Sequence, residues 1–251
     1  LDLAPFSDSG TICTPMTTPA THATGPAASW QAKLPNTLTM ARVVLAVVFF
    51  GVLCLGEYRP IAAGEAWSVR SGAAFGQNVF LLIGAVLFIA AAATDALDGH
   101  LARRWKVVSR FGRVMDPFAD KLLVLGAFVM LAAPMFRVFA PGDPHTSFQA
   151  TRVASWMVIV VLGRELLVTS LRGVMEADGV DFSATLSGKL KMILQSAVVP
   201  AVLVMLAFAT PWVGTPTRVL LDVLVWGTVI VTAASGVPYV RRAVRRSGAL
   251  K

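Results

Sequence analysis

Charge is scarce in this chain. Of its 251 residues only 14% are Asp, Glu, Lys or Arg, against 56% hydrophobic, where a soluble domain carries about a quarter charged residues. So little polar surface excludes an ordinary soluble globule, and the long apolar runs exclude a chain disordered throughout. Cysteine is scarce too. Cys13 sits in a polar stretch and Cys54 in an apolar run. Neither has a Cys or His at metal-ligand spacing, so neither a disulfide scaffold nor a zinc site is expected. Acidic residues are outnumbered by basic ones, 14 to 22, for a net charge of +8. In a soluble protein that excess would raise nucleic acid as a partner. Here the basic residues fall between apolar runs, where membrane orientation and anionic headgroups account for them, and no nucleic acid is expected.

Six apolar runs cover about 38–55, 79–102, 111–135, 154–174, 190–209 and 219–240. Each is near the roughly 20 residues that cross about 30 Å of hydrocarbon as a helix. The fold class expected is therefore an all-α polytopic membrane protein with six transmembrane helices. Residues 1–32 stand apart: their Thr/Pro/Ala-rich stretch has no apolar periodicity and no basic-then-apolar leader pattern, and reads as a disordered polar tail. The membrane domain is expected over 33–246, with a short tail at 247–251. Trp30 to Lys33 read as a short interfacial turn, and the stretch near 139–149 as a loop, from the turn signals Pro141-Gly142 and Asp143-Pro144.

Loop charges set the orientation. Arg103, Arg104, Lys106, Arg110 and Arg113 cluster between runs two and three, Arg172, Lys189 and Lys191 between four and five, and Arg241, Arg242, Arg245, Arg246 and Lys251 at the end. The alternate connections are poor in base. Six spans with this alternation put both termini in the cytoplasm. No internal repeat is visible, so an inverted-repeat transporter gains no support.

Four of the 14 acidic residues, Asp95, Asp98, Asp116 and Asp120, fall at the ends of two expected spans. A carboxylate beside hydrocarbon is costly and marks a functional site by default. Asp95 and Asp98 are three apart, Asp116 and Asp120 four apart, so each pair projects from one helix face. The short connection makes the two helices antiparallel neighbours, with both pairs at one depth. Any single Asp is explained as a helix cap or a partner of a nearby arginine. Four together repel one another and call for cations. Hard divalent ions with oxygen ligands are the natural answer, and Mg²⁺ suits phosphate-bearing substrates.

Written out, the stretch is Asp95-x2-Asp98-Gly99-x2-Ala102-Arg103-x8-Gly112-x3-Asp116-x3-Asp120. It resembles the signature of the CDP-alcohol phosphatidyltransferase family, with every fixed position filled. The resemblance implies a six-helix membrane enzyme, a homodimer, which displaces CMP from a CDP-linked lipid or alcohol with two divalent cations, Mg²⁺ or Mn²⁺. It makes Asp95, Asp98 and Asp116 metal ligands. Asp120 contributes to the second metal or acts as general base, with Asp116 and Asp120 carrying the catalysis. The residue chemistry agrees. Gly99 and Gly112 lack a Cβ and Ala102 is small, which lets a nucleotide and a neighbouring helix come close. Arg103 offers a planar fork for phosphate. These residues, with Asp98, form the expected CDP-lipid pocket.

Three further stretches bear on the acceptor. Pro35-Asn36-Thr37-Leu38-Thr39-Met40-Ala41-Arg42 has the chemistry of a helix start, and Asn36, Thr39 and Arg42 share one stripe aimed at one ligand. Arg164-Glu165-Leu166-Leu167-Val168-Thr169-Ser170-Leu171-Arg172 holds an arginine deep in an apolar run and a second about two turns later. Taken alone it reads as an Arg164–Glu165 pair with an interfacial Arg172. Gly188-Lys189-Leu190-Lys191-Met192-Ile193-Leu194-Gln195 opens the fifth run. Together they resemble the bacterial members of the family that use a phosphorylated acceptor, except that Met192 stands where that pattern has Thr. The resemblance makes Asn36, Thr39 and Arg42 part of the CDP-lipid pocket and gives the acceptor phosphate to Arg164, Arg172 and Lys189, with Lys191 beside them. Convergent cations suit such an acceptor, whereas choline, ethanolamine or serine would not need them.

The expected reaction is transfer of the phosphatidyl group of CDP-diacylglycerol to sn-glycerol 3-phosphate with release of CMP, in a bacterial inner membrane and from its cytoplasmic side, among membrane lipids. Rival readings keep the chemistry with inositol phosphate or phosphatidylglycerol as acceptor, or make the acidic cluster the ion site of a cation transporter. A transporter has no need of Arg103. His100 fills a variable position of the signature, and Asp222, near the outer end of the last run, is expected in a polar contact; neither is assigned to the site.

Overall fold

A computed structural model of the chain describes residues 29–56, 58, 78–105, 110–140, 143–177, 186–209 and 215–249. Within them lie six long helices: α1 (Ser29–Leu55), α2 (Val79–Trp105), α3 (Arg110–Leu131), α4 (Ser155–Ala177), α5 (Leu186–Phe208) and α6 (Pro216–Ala249). Of the expected tails over 1–32 and 247–251, residues 1–28 and 250–251 lie outside the described residues.

Helix α1 packs against α2 and α3, α2 against α5, α5 against α6, and α6 against α4. Their buried positions recur every three or four residues, the spacing of one helix face. On α1 the stripe is Thr39, Arg42, Ala46, Phe49 and Leu53; on α2 it runs through Leu81, Ala85, Phe88 and Ala91; on α3 through Leu123, Ala127 and Leu131; on α5 through Lys191, Gln195, Val198, Val202 and Leu206. The opposite faces carry exposed Val44, Val47, Val86, Ile89, Ile159, Ile193, Val223 and Ile230. Apolar side chains turned outward over several helices suit a lipid surround, not water. With three helical stretches long and apolar enough to cross a membrane, Thr37–Leu55, Leu190–Phe208 and Pro216–Arg245, the chain is an integral membrane protein.

Polar residues stand within the other three helices. Helix α2 is apolar over Val79–Asp95, where the first of the aspartates stands. Helix α3 carries Arg110, Arg113, Asp116, Asp120 and Lys121 in its first half, and α4 carries Arg164 and Glu165 in its middle. The helices also approach closely. A Cβ on Gly126 of α3 would stand 2.4 Å from the Phe50 ring of α1, and one on Gly84 of α2 would stand 3.2 Å from Leu53. Small residues at such crossings are how helices gain van der Waals contact where lipid gives no hydrophobic drive.

Two expectations need correction. Trp30–Lys33 lie inside α1, which begins at Ser29, ahead of the expected turn. Gln31, Ala32, Lys33 and Leu34 are good helix formers, and they extend the helix ahead of Pro35. The fold is also not purely helical. The expected loop is an antiparallel hairpin of β1 (Arg137–Ala140) and β2 (Asp143–Gln149), pairing Arg137 with Gln149, Val138 with Phe148 and Phe139 with Ser147, then shifting register before Ala140. Main-chain bonding overrides two strands without clear alternation, one of which contains Pro144. The hairpin also closes the end of α3. Gln149 donates from Nε2 to the carbonyls of Leu131 (2.9 Å) and Ala133 (2.8 Å), and the Thr151 hydroxyl donates to Leu131 (2.6 Å). Carbonyls at a helix C-terminus lack intrahelical donors, and these side chains supply them.

Candidate active site

The same stripes that bury the core become polar toward one end of the bundle. On α1, one and two turns before Ala46, stand Arg42 and Thr39, both buried. On α2, one turn after Ala91, stands Asp95. On α3, one turn before Leu123 and Ala119, stand Asp120 and Asp116. Because the positions continue the core spacing, packing the apolar halves carries these five side chains to one place.

There the contacts are specific. Arg42, 0% exposed, puts Nη1 2.6 Å from Oδ1 of Asp95, whose side chain is 42% exposed. The Thr39 hydroxyl donates to Oδ1 of Asp116 at 2.5 Å. Helix α1 thus binds one carboxylate on α2 and another on α3. Asp120 lies within electrostatic reach of Asp95 and Arg42 on one side and of Lys191 and Glu165 on the other. A buried guanidinium balances part of the negative charge that the aspartates would otherwise present to one another.

Next to this acidic floor is a basic wall. Arg164 Nη1 lies 3.0 Å from Oε1 of Glu165, and the Lys191 ammonium donates to the same oxygen. All three are buried, at 9, 8 and 6% exposure. The Arg164 guanidinium carbon stands 5.9 Å from the centre of the Tyr239 ring, and the Arg164 stem runs past Gly236, where a Cβ would stand 3.3 Å from Cγ. Gln195, one turn beyond Lys191, donates to the Thr232 hydroxyl at 3.1 Å. The floor and the wall share an open cleft lined by Asp120, Lys121, Glu165, Lys191, Gln195 and Ser196.

The structure therefore brings together Thr39, Arg42, Asp95, Asp116 and Asp120, and beside them Arg164 and Lys191. Arg172 is half-buried on the same helix as Arg164, two turns on. The side chains of Asn36, Asp98, Gly99, Ala102, Arg103, Gly112 and Lys189 lie outside the described residues, although their backbones are helical. Asp222, outside the site, is ion-paired to Arg152 at 2.6 Å. Among the cleft residues given no role from the sequence are Glu165, read only as a neighbour of Arg164, and Gln195. Their signal was weak, one acid next to a base and one amide a turn past a lysine.

The donor set fits a hard divalent cation. Among the described residues the floor offers carboxylate oxygens, the ligands that Mg²⁺ and its relatives take. Among the described residues no three acidic, His or Cys side chains close on one point as a finished metal cage; Asp98, the remaining member of the sequence quartet, has its side chain outside them.

A membrane bundle with an oxygen-donor floor, a buried arginine on it and cations beside it is the frame of a phosphoryl-transfer enzyme acting on lipid. The chain matches the model of the CDP-alcohol phosphatidyltransferase family over residues 32–234 and belongs to that family, which is divalent-metal dependent. It is 34% identical over 207 residues to the CDP-diacylglycerol–glycerol-3-phosphate 3-phosphatidyltransferase of Bacillus subtilis, covering 82% of this chain and 92% of the relative. Enzymes of the same name from Yersinia pestis, 35% identical over 66% of this chain and 73% of the relative, and from Mycoplasma pneumoniae, 37% identical over 57% and 56%, are also similar.

Proposed function

We propose that this chain is a phosphatidylglycerophosphate synthase. It transfers the phosphatidyl group of CDP-diacylglycerol to sn-glycerol 3-phosphate and releases CMP. The observation that carries this reading is the single cleft shared by Asp120 and Lys191: a group able to take a proton stands next to cations able to hold a phosphorylated acceptor. The relatives' printed names, which give both substrates, support it.

The acceptor's hydroxyl oxygen attacks the phosphorus that bears diacylglycerol. The bond from that phosphorus to the CMP oxygen breaks, and CMP departs with the electron pair. Asp120 receives the hydroxyl proton. Asp95, Asp98, Asp116 and Asp120 would hold two cations, Mg²⁺ or Mn²⁺. When bound, these neutralise the diphosphate and favour the ionised hydroxyl. Arg42 and Thr39 fix Asp95 and Asp116 in place. Asn36, Gly99, Ala102, Arg103 and Gly112 form the CDP-lipid pocket, while Arg164, Arg172, Lys189 and Lys191 hold the acceptor phosphate. The acyl chains stay in lipid and reach the cleft between helices.

The wider assignment is six spans over 33–246, both termini and the cleft on the cytoplasmic side of a bacterial inner membrane, and a homodimer. The test of function is direct. Purified protein in lipid-detergent micelles is given CDP-diacylglycerol, Mg²⁺ or Mn²⁺ and labelled sn-glycerol 3-phosphate. Label should pass into the lipid phase with equimolar CMP. Inositol phosphate and phosphatidylglycerol serve as competing acceptors. Label failing to enter lipid, while a similar bacterial enzyme is active alongside, rejects the reading.

A further inference from the structure

Two buried cations side by side need an anion between them. Oε1 of Glu165 fills that place for Arg164 and Lys191. Glu165 is itself anchored: its backbone carbonyl accepts the Thr169 hydroxyl at 2.8 Å, and that hydroxyl receives the Lys121 ammonium from α3. Lys121 follows Asp120 in sequence. The network therefore ties the helix of Asp120 to the helix of Glu165, and through Lys191 to α5.

We infer that Glu165 is a positioning residue for the acceptor: its carboxylate holds the Lys191 ammonium and the Arg164 guanidinium together as a two-cation clamp beside Asp120. This rests on the proposed function, in that the clamp's ligand is the acceptor's phosphate. Glu165 does not touch the reacting atoms. An ammonium has three donors and a guanidinium five. One from each goes to Glu165, which leaves donors for a phosphate, so the carboxylate stays in place when the acceptor binds. A clamp whose charges are fixed beforehand needs no rearrangement at that moment. The carboxylate also decides where the lysine points. Asp120 is the other anion within electrostatic reach of Lys191. Without Glu165 the ammonium turns to Asp120 and engages the carboxylate that must receive the proton.

The test is a double-mutant cycle on the whole chain, with each substrate varied in turn while the other is saturating. Glu165→Gln keeps the shape and removes the charge. It should raise the KM for sn-glycerol 3-phosphate at least tenfold and leave the KM for CDP-diacylglycerol within twofold. Lys191→Gln should do the same. The double variant should fall within threefold of the worse single one, well short of the product of the two effects. An unchanged or lowered acceptor KM in Glu165→Gln overturns the inference, as do effects that multiply. If Glu165→Gln does not fold, Glu165→Asp replaces it in the cycle, with the same criteria, because it keeps the charge and shortens the reach. The wild type separates the two levels. If it releases CMP with another phosphorylated polyol and not with glycerol 3-phosphate, the acceptor assignment falls and the cycle is run with that polyol. If it uses no phosphorylated acceptor, the clamp falls as well.

Discussion

The hydroxyl of Thr39 reaches a carboxylate oxygen of Asp116 at 2.5 Å, across 77 positions of sequence. The contact joins the first half of α1 to the candidate metal site on α3. A donor behind a metal-binding carboxylate fixes its orientation, and such partners are worth about 10–100-fold in affinity or activity. Thr39→Val keeps the shape and removes the donor. The expected result is a higher Mg²⁺ concentration for half-maximal rate, by about tenfold, with the melting temperature changed little. A metal titration of initial rate checks it.

Arg42 and Asp95 should behave asymmetrically. Arg42 is fully buried, while Asp95 keeps solvent contact. Asp95→Asn takes the charge from a partner of a buried guanidinium and leaves that buried charge less compensated, which is destabilising. Arg42→Met removes the buried charge and leaves a carboxylate that water can reach. Asp95→Asn should therefore melt at the lower temperature of the two in detergent, although both lose activity.

Removing divalent metal should stop turnover, and adding it back should restore it. EDTA treatment followed by Mg²⁺ or Mn²⁺ titration checks this. Asp116→Asn should lower kcat at least a thousandfold, with helical circular dichroism unchanged. A wild-type rate in that variant removes Asp116 from the metal site.

At the other end of the bundle, Arg152 has φ 63° and is ion-paired to Asp222. A left-handed backbone costs a side chain about 1 kcal/mol more than it costs glycine. Arg152→Gly should thus be more stable than Arg152→Ala by about that amount, though both lose the pair. The pair itself, partly exposed, contributes about 1 kcal/mol or less. Neither variant should change the KM for either substrate. Thermal melts with parallel kinetics test both halves.

Gly126→Ala drives a methyl into the Phe50 ring, which stands too close to accept it. The expected loss is about 1–3 kcal/mol. Gly126→Ala in a Phe50→Leu background should recover most of it.

Much of the frame was legible before any coordinates. Apolar runs marked the helices, and aspartates at helical spacing marked the candidate site, where Asp95, Asp116 and Asp120 are the described members, because both signals are local. Contacts between distant positions were less so. The stripe of Thr39 and Arg42 was visible, but not that each would meet a different aspartate on a different helix. Glu165 showed an adjacent arginine and gave no sign of Lys191, 26 positions away. The hairpin escaped because its strands are short, one contains a proline, and their stability comes from main-chain pairing and from capping α3. The positive φ of Arg152 has no sequence signal, since nothing in its neighbours announces it.

The uneven distribution of charge along α3 bears on how the protein reaches its place. Five ionisable residues crowd the first half of that helix, from Arg110 to Lys121, and the second half is apolar. Such a segment is a poor passenger for the insertion machinery on its own. Its apolar half can enter lipid early, but the charged half becomes tolerable only once α1 presents Arg42 and Thr39 to it. The helix that orders the aspartates is thus also the one that makes the most polar helix bearable in lipid.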